Sequence, residues 1–474
     1  MSRRNQPTKT EAIRRDNRRQ FLQMGVLATV GLTSLAGKSW AVPAVIKTRP
    51  PNFLVIISDQ LSLAAISAHG CADAHTPNID RLIARGTTFQ ESYTSNPVCS
   101  PARSSLFTGR MPIETGVIDN NRPVHASRPN MGQWLNEAGY ETTYCGKWHL
   151  PNDIGMAGFH ELRTVGGQGA LQDGPCSRAC ESYLHQRDRA RPFLLVSSFM
   201  NPHDICFWAI QHRWLVPEQT AFAEIEGALP ALPANHQSRP VGPALLDRQK
   251  FDHFSEAQWR YYMYAYYRQV EMVDAEIGRV LNALDDTDQA KDTVVIFTAD
   301  HGESRGRHLR VGKDSPYEEA AKVPLVFACP DRLPGGRIDR THLVSGIDLM
   351  DTACDLAGVR PPKTSGRSLR PILEDRQVAW RDCVASEFQV TGRMLRTSQF
   401  KYVTVKGDSV EQLFDLQADP WETTNLYQQP KYADVLKDHR RMLADWEGRL
   451  EPVEPTPPVV GPKNKARQAK KQKA

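Results

Sequence analysis

Three runs, FLVIIS at 53–58, FLLVSSF at 193–199 and TVVIFTA at 293–299, are apolar almost without interruption. A half-buried strand alternates between apolar and polar side chains. A continuous β-branched run marks a strand covered on both faces. Such strands need helices above and below them, and the sequence places helical patterns between the runs. TPNIDRLIARG (76–86) offers Thr76 as cap, Pro77 at the first helical position and Gly86 at the stop. MGQWLNEAGY (131–140) predicts a short helix ended by Gly139 and leading to a strand near Thr142–Cys145. From Ser255 to Asp285 runs a long amphipathic helix opened by the capping box Ser255-x-x-Gln258. The alternation predicts an α/β domain with a doubly wound, mostly parallel sheet. Ligands of such folds gather beyond the carboxyl ends of the strands, and Asp59 and Asp300 stand at two of those ends.

The pattern changes after residue 375. DCVASEFQV, RMLRTSQFKYVTV and EQLFDL are short strands separated by turns, expected to form a small antiparallel sheet, and 431–449 is helix-like. The Pro-, Lys- and Ala-rich stretch from 451 to 474 is expected to be disordered. The expected division is therefore 50–375 for the main domain, 376–450 for the small α+β part and 451–474 for a basic tail. The net charge of +5 lies in the two ends, since residues 42–450 carry a net −5. That balance gives no reason to expect a nucleic-acid partner.

Residues 1–44 join Arg18-Arg19 to a mildly apolar stretch, Met24–Ala36, with small residues near Ala41 and Ala44. The stretch is too short to span a bilayer and resembles a twin-arginine export signal. Together with the lack of any other run of transmembrane length, it implies export, to the periplasm or beyond, with no integral membrane segment and with the twin-arginine machinery as a partner. Nine cysteines are present. Export permits disulfides, and Cys176 and Cys180, in what reads as a Gly/Pro-rich loop, are one possible local pair.

The chemistry-bearing residues lie at predicted strand ends and in tight loops. ISDQ supplies Asp59 and Gln60, and TADHGE supplies Asp300 and His301. Two carboxylates, an amide oxygen and an imidazole at one sheet edge suit a divalent cation, although either Asp alone would serve equally well as a helix cap. GKWHL offers Lys147 and His149, NPHD offers His203, and VGKDSPYEE offers Lys313. Joined to a metal and Arg103, these groups would accommodate a compact oxyanion. Cys99, in NPVCSPARSSLFTGR, lacks both the apolar neighbours of a core cysteine and the nearby Cys or His of a zinc site.

The CSPAR stretch (99–103) followed by SSLFTGR resembles the signature of the type I sulfatases of the alkaline phosphatase superfamily. PNFLVIISDQ, HTPNIDRLIARG, GYETTYCGKWHL, TADHGE and GKDSPYEEAAKVPLV resemble that family's blocks in the same order, over roughly residues 50–430. The resemblance implies an alkaline-phosphatase-like doubly wound mixed sheet flanked by helices, with a small C-terminal antiparallel-sheet subdomain. It also implies that a maturation enzyme oxidises Cys99 to Cα-formylglycine. One hydroxyl of the hydrated aldehyde would attack sulfur, and the other would collapse the adduct to expel sulfate.

By position, the resemblance gives Asp59, Gln60, Cys99, Asp300 and His301 to a cation, with Ca²⁺ first and Mg²⁺ or Mn²⁺ open. It gives Arg103, Lys147 and His149 to the hydrate, Lys313 to sulfate and His203 to protonation of the leaving oxygen. Gln60 and His301 stand where many members have Asp and Asn. A Gln at the first position also occurs in related phosphonate monoester and phosphodiester hydrolases. The expected activity is hydrolysis of a sulfate ester, on a small molecule or a glycan. A phosphonate or phosphodiester hydrolase is the alternative, and a silent carbohydrate-binding relative stands further off. The sequence is mute on oligomeric state.

Overall fold

The computed structural model describes residues 49–151, 156–211, 223–249 and 253–459. The predicted export signal lies outside these residues, as does the tail beyond 459. Among the described residues, no helix is long and apolar enough to cross a membrane.

Fourteen strands are described: β1 Asn52–Asp59, β2 Thr87–Phe89, β3 Ser92–Tyr93, β4 Glu141–Gly146, β5 His160–Leu162, β6 Phe193–Pro202, β7 Thr293–Ala299, β8 Leu325–Ala328, β9 Arg337–Asp339, β10 Val344–Ser345, β11 Val384–Phe388, β12 Gly392–Arg396, β13 Phe400–Val405 and β14 Gln412–Asp415. Eight form one sheet in the order β5-β4-β6-β1-β7-β8-β2-β9. Strands β5, β4, β6, β1 and β7 run parallel, while β8 is antiparallel to both β7 and β2. The sheet is mixed, as expected.

The continuous apolar runs divide between two layers. Phe53, Val55 and Ile57 join Leu194, Val196, Val294 and Ile296 on one face, against the helices Met131–Glu137 and Asp348–Leu356. Leu54 and Ile56 join Leu195, Val295 and Phe297 on the other, under the Glu256–Asp285 helix. Each large side chain so buried stabilises the fold by roughly 1.5–3 kcal/mol, which is why the central stretches 53–57, 193–196 and 294–297 carry no polar side chain. The Ser255/Gln258 capping box forms as predicted.

Thr76 stands at its cap position but does not cap. Its hydroxyl bonds Asp80, and the buried Asp274 of the long helix accepts instead from the N–H groups of Asn78 (3.2 Å) and Ile79 (2.8 Å).

Three other expectations are corrected. Cys176 and Cys180 lie in a helix, Gly169–Gln186, and not in a loop, and all nine cysteines are free thiols. The N-terminus of that helix is capped by the Asp204 carboxylate, which accepts from Gly169 N (2.8 Å) and Ala170 N (3.1 Å). Residues 451–459, expected to be disordered, lie along 113–123. Glu451 N donates to Glu114 Oε1, Val453 N to Ile113 O, Thr456 N to Gly116 O and Val459 N to Asn121 O.

The C-terminal sheet, β11-β12-β13-β14, is antiparallel throughout. One face packs under the Ala433–Glu447 helix through Leu395, Tyr402, Leu413, Leu436 and Leu443. The other meets Tyr93 and Tyr317 through Met394, Val403 and Phe414. Buried Lys401 crosses between the two parts, pairing with Glu318 at 2.8 Å and Glu422 at 2.7 Å.

The 451–459 contacts generate a test. Ending the chain at 450 should destabilise it by about 1–3 kcal/mol, a few net hydrogen bonds' worth. Ending it at 459 should leave the melting curve unchanged. Thermal melts of the two truncations against the full chain check this.

Candidate active site

The site lies at the carboxyl ends of four adjacent parallel strands. Asp59 closes β1, Asp300 follows β7, Lys147 follows β4 and His203 follows β6. The register aligns these ends, with Asp59 opposite Pro202 and Ser58 opposite Ala299. The Asn201–Pro202 peptide is cis. Lys147 is aimed by a turn that only glycine permits. Gly146 has φ +94°, a Cβ there would meet Ser198 O at 2.0 Å, and Lys147 N donates to that same oxygen at 2.8 Å.

The Cys99–Thr108 helix sets its N-terminus at this edge, with every one of its residues buried. Four positions separate Cys99 from Arg103, so both lie on one helix face. Arg103 is fully buried and makes four hydrogen bonds: Nε to Asp300 Oδ2 (2.8 Å), Nη2 to Asp59 Oδ2 (3.0 Å), and Nη1 to Lys147 O (2.7 Å) and Ser198 Oγ (2.8 Å). These are spent on the two carboxylates and the strand ends, and none goes to Cys99. Lys147 Nζ pairs with Asp59 Oδ2.

Around the Cys99 thiol stand Lys313 Nζ at 3.0 Å, His301 Nε2 at 3.2 Å, and Lys147 Nζ and Asp59 Oδ1 each at 3.7 Å. Burial and the Asp59 charge both push the thiol pKa up, but Lys147 and Lys313 outweigh them and hold it well below the ordinary cysteine value. Position 99 therefore favours a negatively charged atom. Burial likewise works to raise Asp59, yet Lys147 leads a group of cations that holds its carboxyl well below the usual range. Asp300 moves the other way, raised by burial and then by its neighbour Asp59.

Burial pushes His203 below the ordinary histidine value against the attraction of Asp59. The His149 backbone, at φ 58°, brings its carbonyl to Ser100 Oγ at 2.5 Å. Its ring shows no hydrogen bond to Cys99 among the described contacts.

Four of the five residues expected at a cation gather here. Asp59, Cys99, Asp300 and His301 offer ligand atoms all within 4.8 Å of one another. The His301 tautomer is set by Nδ1, which donates to Gly302 O at 3.0 Å and leaves Nε2 facing the carboxylates. Gln60, at φ 70°, turns Oε1 to within 2.7 Å of Lys313 Nζ. Hard oxygen donors with one imidazole fit a divalent cation of the Ca²⁺ or Mg²⁺ kind.

The sequence reading missed Ser198, hidden inside an apolar run, and Glu303. The Glu303 carboxylate is fully buried and accepts from Gln60 Nε2, Tyr262 Oη (2.5 Å) and Gly312 N (2.6 Å). Its place in TADHGE, three residues past Asp300, was the available signal.

Several cations, two carboxylates and a buried cysteine gathered at one sheet edge mark a hydrolase of anionic esters on an alkaline-phosphatase-like fold. The chain belongs to the sulfatase family and is a sulfuric ester hydrolase. Residues 51–359 match the Sulfatase family, and residues 306–448 match the N-sulphoglucosamine sulphohydrolase C-terminal family. A Delta 4,5-hexuronate-2-O-sulfatase from Bacteroides thetaiotaomicron is 31% identical over 434 residues, covering 84% of this chain and 88% of the relative. A choline-sulfatase from Rhizobium meliloti is 31% identical over 436 residues, covering 81% and 84%. The crystal structure of a phosphonate monoester hydrolase of Agrobacterium radiobacter superposes with a TM-score of 0.71 over 84% of this chain and 96% of its own. At 23% identity, that likeness speaks for the fold alone.

Replacing Arg103 by Met would leave two buried carboxylates without their guanidinium. The expected cost is about 3–5 kcal/mol of stability, the usual result of breaking a buried ion pair. Arg441→Met, at an exposed pair, should cost nothing measurable. Denaturant melts of both variants in chelator check the difference.

Proposed function

We propose that this chain hydrolyses a sulfate ester carried by a carbohydrate, using a formylglycine hydrate made from Cys99. The observation that carries this reading is the convergence of Lys147, Lys313 and His301 on the single buried atom Cys99 Sγ. A lone structural thiol needs no such escort.

Asp59, Gln60, Asp300 and His301 would hold a divalent cation, with Ca²⁺ the first candidate. The cation would lower the pKa of a hydroxyl at position 99 and withdraw charge from a sulfuryl oxygen. The hydrated aldehyde supplies the attacking hydroxyl and a second one to release sulfate. Lys147 holds the negative charge that develops at position 99. Lys313, whose side chain is 15% exposed and stands at the same atom, binds the sulfate group. His203, in the protonated form that the negative charge of a bound sulfate ester favours, would give its proton to the departing sugar oxygen. Arg103 keeps the two aspartates aimed.

Two features support a carbohydrate: the hexuronate sulfatase relative and the match to a C-terminal region named for N-sulphoglucosamine sulphohydrolase. The choline-sulfatase relative supports a smaller alcohol in its place. Gln60, which lowers the negative charge of the site, favours the second reading, a phosphonate or phosphodiester hydrolase. Export by the twin-arginine route belongs to the same proposal and rests on the sequence around Arg18-Arg19. A screen of sulfated saccharides and choline sulfate beside aryl sulfates, aryl phosphodiesters and phosphonate monoesters discriminates among these substrates. Turnover of the phosphorus esters with none of any sulfate ester would overturn the sulfatase reading.

Two further outcomes are expected. Peptide mass spectrometry of active protein should show position 99 about 18 Da lighter than cysteine, as replacing S by O with loss of two hydrogens requires. Full activity with an intact thiol would sink the mechanism. His203→Ala should slow hydrolysis of a sugar sulfate roughly 10²–10⁴-fold, the range of general acid catalysis. It should slow nitrophenyl sulfate far less, because nitrophenolate leaves without a proton. Equal losses on both would give His203 a positioning role instead.

A further inference from the structure

We infer that Glu303 is a positioning residue that decides which end of the Gln60 amide faces the cation site; the inference rests on the cation reading above. A glutamine amide presents an acceptor at Oε1 and a donor pair at Nε2, and the two ends are nearly alike in shape. Only Oε1 can serve a cation. A 180° turn about the last torsion would therefore replace a ligand by a repelling N–H group without altering packing.

The neighbours of Gln60 forbid that turn. On one side Lys313 Nζ lies 2.7 Å from Oε1, and an ammonium can only donate. On the other, Glu303 Oε2 accepts from Nε2. Cys206 Sγ touches both ends, at 3.1 Å from Nε2 and 3.2 Å from Oε1, and so does not discriminate.

Glu303 is itself unable to change places. It is fully buried, and its Oε1 accepts from Tyr262 Oη, Gly312 N and, at 3.3 Å, Arg305 N. Gly302, just before it, lies where a Cβ would meet Glu319 O at 2.0 Å, so the backbone too is held close. The Glu303 side of the lock, with Tyr262, lies among fully buried groups.

Substituting an amide for this carboxylate forces a conflict. In Glu303→Gln, the new NH₂ either faces Gln60 Nε2 or turns to face Gly312 N–H. In each case two donors meet. The first conflict is relieved when Gln60 turns over, and that removes its oxygen from the cation side. Exchanging the two residues restores every partner. In the double variant Gln60→Glu/Glu303→Gln, the amide at 303 keeps its oxygen on Tyr262 and Gly312 and donates to the carboxylate at 60. The other oxygen of that carboxylate faces Lys313 and the cation.

The test is calorimetric titration of Ca²⁺ into chelator-stripped full-length protein, with thermal melts in chelator run beside it. Glu303→Gln should bind Ca²⁺ roughly 10–100-fold more weakly, as is usual for a lost partner of a metal ligand. The double variant should return to within about threefold of wild type. A residue that mattered only for folding would lower the melting temperature without rescue of Ca²⁺ affinity by the exchange. If Glu303→Gln does not fold, the double variant is set against Gln60→Leu, and equally weak Ca²⁺ binding by these two overturns the inference. So does unchanged affinity in Glu303→Gln. Wild-type protein that binds none of Ca²⁺, Mg²⁺ or Mn²⁺ would instead overturn the cation reading, and this inference with it.

Discussion

One guanidinium ties the central sheet to the site. Arg103 reaches from the helix that begins at Cys99 and bonds to Asp59 at the end of β1 and Asp300 after β7. It bonds as well to the carbonyl of Lys147 after β4 and to Ser198 on β6. Four neighbouring strands and one helix thus meet on a single planar group. The group is itself fully buried, so its charge has to be matched. Because the fork takes one oxygen of each carboxylate, the Oδ1 atoms are left pointing toward His301 and Cys99. The geometry in which a cation and a nucleophile could share a small volume follows from that division of oxygens.

Charge bookkeeping around this hub explains the behaviour of its members. Two carboxylates face Arg103, Lys147 and Lys313, which leaves an excess of one positive charge before His301 or any ion is counted. The excess lowers the pKa values of Asp59 and Cys99 together, although both are buried. A sulfate ester, with its single negative charge, is matched to such an excess more closely than a neutral ester would be. The same field that holds Asp59 ionised therefore also selects the class of substrate.

Much of this was legible in the chain. The covered strands announced themselves by unbroken apolar runs, the strand-end aspartates by position, and the Cys99–Arg103 pair by the resemblance of CSPAR to a family signature. What escaped was long-range. The Gly169–Gln186 helix carries Gly169, Gly174 and Pro175, which read as loop, and its cap comes from Asp204, 35 residues away. The Pro77–Arg85 helix likewise takes its cap from Asp274 rather than from Thr76 beside it. The 451–459 segment has no apolar periodicity, because its order comes from backbone hydrogen bonds to 113–123 rather than from burying a face. Glu303 was in plain view within TADHGE, but its role depends on Gln60, 243 residues earlier.

The complete burial of Cys99 fixes a sequence of events in the life of the molecule. No enzyme can close its own active site over a side chain that has zero exposed surface and lies in a helix buried along its whole length. The oxidation proposed for position 99 would have to come while the chain is still open, before the helix docks. The segment following that helix is clasped by 451–459, the last described residues. A ribosome delivers those residues long after 99–108, so the clasp cannot close until both stretches have been made. If the proposed export of folded protein and the proposed oxidation both hold, the oxidation belongs to the compartment of synthesis, because a copy that folded first would present no accessible side chain at position 99.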